Sequence, residues 1–190
     1  MLLFSVTFAL FLLGAQICRR SFLEKRQNII AIASVVWMSI GAGLLSFLQY
    51  RVWSSADVAN YLLPPYTDIS YFLYYVGTRF FLPFGASLVF AVLFVVAMRI
   101  MNKRMGEKFF DRGEITVAGI AIFLSGFPGV LIFVPTLILF YLLYHLVNVV
   151  RGKKGERIPL FFLWLPVSIS VILINNFWLS RLDIWKLMKF

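Results

Sequence analysis

Long apolar stretches alternate with short basic ones along the whole chain. Residues 1–17 are apolar, and 19–28 (RRSFLEKRQN) are basic. Apolar runs follow at 28–47 and 80–98, then at 115–126, 130–150 and 159–178. About 20 apolar residues cross a bilayer as a helix, so these six runs predict six transmembrane helices. Residues 49–79 form the one long connection. It is rich in Tyr and broken by Pro64 and Pro65. Tyr61, Tyr66, Tyr71, Tyr74 and Tyr75 suit an interfacial segment lying flat on the membrane. Gly41 and Gly43 in the second run predict close helix contact. The Gly126-Phe127-Pro128-Gly129 run predicts a tight turn between the fourth and fifth spans. Pro135 predicts a kink in the fifth, and Pro159 a helix start for the sixth. Residues 180–190 alternate charged and apolar side chains, as a short amphipathic tail does.

Composition agrees with the pattern. Of 190 residues, 62% are hydrophobic, and the mean hydropathy is +0.91. A soluble domain is nearer half apolar. The expected fold class is therefore an all-α polytopic membrane protein, one membrane domain over residues 1–190. The net charge of +10 would raise nucleic acid as a partner for a soluble protein. Here the charge sits between apolar runs and reads as topology, so the bilayer is the expected partner and nucleic acid is not.

Three basic segments, 19–28, 99–112 and 151–157, hold most of the Lys and Arg. The opposite side has Arg51, Arg79, Arg181, Lys186 and Lys189, although it includes the longest loop. That bias predicts an N-out, C-out orientation in the plasma (inner) membrane, with the basic loops cytoplasmic. A signal peptide carries its positive charge before the apolar run, whereas Arg19 and Arg20 follow it, so the first helix reads as retained.

Candidate chemistry is sparse. The chain has no HExxH, no Gly-rich phosphate loop and no GxSxG. Cys18 is the single cysteine, which excludes an internal disulfide and a multi-cysteine metal site. It reads as a small apolar residue at a helix end. No cofactor is expected. The single histidine, His145, reads as a hydrogen-bonded packing residue of the fifth span. Asn175 and Asn176 read as caps at the far surface. Asp111 and Glu114 flank the entry to the fourth span, and Glu24 follows the first. Glu24 and Glu114 are expected at the same membrane depth. Two carboxylates so placed could share a proton, one as base for a water and the other as acid. The plainer reading has both balancing nearby Lys and Arg. For Glu114 the helix dipole, Lys108 and Arg112 are the expected stabilisers.

These residues carry a family resemblance. Asp111-Arg112-Gly113-Glu114 precedes an apolar helix, the Gly-Phe-Pro-Gly turn, another helix, the basic 151–157 segment and Ile158-Pro159. In order and spacing this resembles the core of type IV prepilin peptidases, six-helix membrane aspartic proteases. Their pattern is Gly-x-Gly-Asp, an apolar helix, a Gly-Trp-Pro-Gly-like turn, a helix, a basic loop and Ile-Pro-Phe-Gly-Pro. The resemblance runs over residues 110–169 and implies a prepilin-peptidase-like fold. Glu114 stands where the family has one catalytic Asp, and no Asp stands in the first basic loop, where Glu24 is the acid. The resemblance therefore implies a non-catalytic scaffold or assembly subunit, with membrane protein partners or a pilin-like substrate. Two alternatives stay open. One is a divergent leader peptidase using Glu114 with Glu24 or Asp111; the other is a small transporter or channel subunit.

Overall fold

A computed structural model describes residues 1–18, 25–106, 110, 112–151 and 160–181. Every regular element among them is helical. In chain order these are α1 (Leu2–Cys18), α2 (Gln27–Ser54), α3 (Ile69–Arg104), α4 (Arg112–Ser125), α5 (Val130–Val150) and α6 (Leu160–Arg181). Four of them, α2, α3, α5 and α6, are long and apolar enough to cross a membrane. The other two are apolar but shorter.

The outer faces of the long helices are apolar. Leu139, Leu142 and Leu146 lie along one face of α5, each more than half exposed. In water such a face would drive aggregation; in hydrocarbon it is the solvent-facing surface. The chain is thus a membrane protein by the length and surface of its helices.

The centre of the bundle is α4, which touches all five other helices. From Glu114 to Gly126 every residue is buried except the half-buried Thr116. A helix that is apolar all round belongs inside a bundle, and α4 is such a helix. Its 14 residues make about 21 Å, less than the roughly 30 Å hydrocarbon core. From Glu114 to Gly126 it is surrounded by protein.

Hydrogen bonds replace the missing hydrophobic drive between helices in lipid. The last carbonyls of α4 have no partner inside the helix. Ser87 of α3 donates to two of them, Ile122 O at 3.1 Å and Phe123 O at 2.9 Å. Ser168 of α6 donates to Ala121 O at 2.8 Å. The following turn is tied back by Phe127 N–H to Pro83 O at 3.1 Å. Gly126 there has φ +64°, which L side chains rarely adopt, and so the turn needs glycine. The expected tight turn is present.

Several boundaries differ from the sequence reading. The helix expected at 80–98 begins at Ile69 and runs unbroken to Arg104. The helix expected at 28–47 runs on to Ser54. Much of the connection expected over 49–79 is therefore helical. Within it lies a small aromatic core. Phe72 and Val76, one turn apart, bury with Leu63 against Trp53, Tyr75 and Phe80. The Trp53 ring meets Phe72 at 5.5 Å and Tyr75 at 4.9 Å. Pro83 offers no N–H to the carbonyl of Arg79, and a π stretch, Gly77–Phe81, widens the helix just before it.

Gly41 does allow the expected close approach, since a Cβ there would meet the Phe4 ring at 2.7 Å. Gly43 does not; nothing lies within 4 Å. Pro135 lies inside α5 as expected. Pro159 and the expected tail beyond Arg181 lie outside the described residues.

Candidate functional site at Glu114

Glu114 sits in the first turn of α4, as the sequence suggested. It is buried, with 8% of its surface exposed. A buried carboxylate needs donors. One is the indole of Trp164 on α6, whose Nε1–H donates to Oε1 at 3.3 Å. Trp164 is itself 2% exposed and is held by two rings. Phe133 of α5 stacks on it at 6.2 Å and 3°, and Phe94 of α3 meets it edge-on at 6.1 Å and 73°. Four helices thus converge on one carboxylate and one indole. The rings fix the indole plane, and the plane aims the N–H.

In this arrangement the carboxylate serves as a hydrogen-bond acceptor. A general base must reach water or substrate within about 3 Å. Glu114 lines neither the cavity at the basic end of the bundle nor that at the opposite end. Part of its accepting capacity already goes to the indole.

Glu24 and Asp111, the other two candidate acids, lie outside the described residues, as does Lys108. His145 departs from expectation: it is exposed on α5 rather than packed. Cys18 is exposed at the end of α1. Asn175 is no surface cap, since it is buried, and its Nδ2 lies beside Gly129, 3.2 Å from where a Cβ would stand. Asn176 donates within its own helix to Ile172 O at 2.8 Å. Among the described residues no group of three His, Cys, Asp or Glu side chains is placed to hold a metal ion.

No family model, no curated protein and no solved structure matches the chain.

Three polar positions escaped the sequence reading. Trp164 was read only as part of an apolar run. Gln16, 1% exposed on α1, donates through Nε2 to Phe161 O at 2.6 Å. Asn102 of α3 bonds both ways with the Phe110 backbone: Nδ2 donates to O at 2.8 Å, and Oδ1 accepts from N–H at 3.1 Å. The signal was available for Gln16, which lies in the apolar run 1–17. An amide inside an apolar span must find a partner in the protein, because lipid supplies none.

Proposed function

We propose that this chain is a six-span membrane protein of prepilin-peptidase-like architecture that serves as a non-catalytic scaffold or assembly subunit. In this reading α1 and α4 join the four longer helices as spans, both termini face outward, and the basic loops lie in the cytoplasm. One observation carries the non-catalytic part: the buried Glu114 carboxylate accepts from the ring-clamped Trp164 indole and lines neither end cavity. The order of motifs from Phe110 to Ile169 supports the architecture. The Lys and Arg bias supports the orientation. The partners on this reading are other membrane proteins or a pilin-like chain that is held and not cut.

The test is a cleavage assay with purified protein and a prepilin-like leader peptide in detergent and in bilayers. No leader release is expected from the wild type. Leader release that disappears in Glu114→Gln, with the fold intact, would replace the scaffold by a divergent peptidase.

A further inference from the structure

Two adjoining cavities lie between α2 and α3, with α4 as their floor. The one at the basic end, about 410 Å³, is lined by Gln27, Arg99, Lys103 and Thr116 among others. The second, about 320 Å³, shares Asn28, Arg99 and Thr116 with it and continues among apolar side chains as far as Leu88 and Phe123. Together they form one groove, polar and cationic at its mouth and apolar along its length. Leu88 and Arg99 are about 16 Å apart along α3 at the helical rise. That is close to the half-thickness of a hydrocarbon core, about 15 Å.

The mouth has a definite chemistry. Arg99 and Lys103 are one turn apart on the same face of α3, both exposed. Among the described residues no carboxylate lines either cavity. Gln27 and Asn28 add neutral side-chain amides to this rim. The groove therefore offers two cations and an apolar channel one leaflet deep.

We propose that this groove holds one acyl chain of an anionic phospholipid such as phosphatidylglycerol. The phosphate lies between Arg99 and Lys103, and the chain runs down between α2 and α3 over Gly119. A choline headgroup carries no net negative charge and is disfavoured. Glu114 lines neither cavity, so this site stands apart from the proposal made for that residue.

The experiment uses the full chain in nanodiscs of mixed phosphatidylglycerol and phosphatidylcholine, with retained lipid counted by native mass spectrometry after detergent transfer. Wild type should retain phosphatidylglycerol in preference. The Arg99→Gln, Lys103→Gln pair should lower that preference about thirtyfold, roughly fivefold for each cation near an anionic surface. Arg151→Gln, a cation outside the groove, should leave it unchanged. Val92→Trp, which fills the channel, should lose the retained lipid while circular dichroism and the thermal midpoint stay near wild type. Should Val92→Trp misfold, soluble glycerol phosphate gives the second readout: it should fail to displace the retained lipid at millimolar concentration. Equal retention of both lipids by wild type would overturn the proposal. So would an unchanged preference in the double variant, or displacement by glycerol phosphate alone.

Discussion

Trp164 on α6 donates its indole N–H to Glu114 on α4 across 3.3 Å inside the bundle. The two residues are 50 positions apart in the chain. In lipid, apolar side chains gain little by touching each other rather than acyl chains, so a buried polar pair of this kind sets how two helices meet. The pair sits at the start of α4, and the Ser87 and Ser168 bonds sit at its end. The central helix is fixed at both ends by side chains of its neighbours.

The acceptor, and not the negative charge, is what Trp164 requires. Glu114→Gln keeps a carbonyl oxygen in place, and its thermal midpoint in detergent should stay within a few degrees of wild type. Glu114→Leu leaves the indole N–H unpaired and should cost about 1–3 kcal/mol. A Glu114→Gln protein as unstable as Glu114→Leu would show that the charge is the essential feature.

Glycines in this bundle should separate into three classes. At Gly119 a Cβ would lie 2.5 Å from Val95 Cγ2, a side-chain atom. Gly119→Ala should destabilise, and adding Val95→Ala should restore most of the loss. At Gly129 the obstacles include backbone, Ser125 O at 2.7 Å and Gly126 O at 3.0 Å, so no side-chain change should rescue Gly129→Ala. At Gly43 nothing lies within 4 Å, and Ala should be neutral or stabilising by up to about 1 kcal/mol through helix propensity. Thermal midpoints of the four proteins check the order. Rescue of Gly129→Ala by a neighbouring truncation would contradict it.

The orientation is testable by labelling. Cys18 is exposed and would report on its own, so it is first replaced by Ser. Single cysteines at Lys103 and Lys153 should then react with an impermeant reagent from the same side, and one at Asp57 from the other. Labelling of positions 103 and 153 from opposite sides would remove the six-span arrangement and the resemblance built on it.

Legibility differed from helix to helix for physical reasons. The α5 boundaries, Val130–Val150, follow from an apolar run set between the Gly-Phe-Pro-Gly turn and Arg151. Glu114 in the first turn of α4 follows from the abrupt end of charge at Ile115. The start of α3 was obscured because Tyr, Thr78 and Arg79 look interfacial. What makes that segment helical is a tertiary cluster around Trp53 that no local pattern announces. The donor to Glu114 was obscured for the same reason. A tryptophan in an apolar span looks like bulk until a distant helix brings it an acceptor. The central position of α4 accords with its sequence, which is apolar on every side from Ile115 to Leu124.

The most direct measurement of the structural role assigned to Glu114 is a double-mutant cycle on unfolding in detergent. It compares wild type, Glu114→Leu, Trp164→Phe and the double variant. An interhelical hydrogen bond inside a membrane bundle should give a coupling of about 0.5–2 kcal/mol, with the double variant more stable than the two single losses would add to. Strictly additive losses, with no coupling between the two positions, would contradict the pairing and leave the carboxylate open to another role.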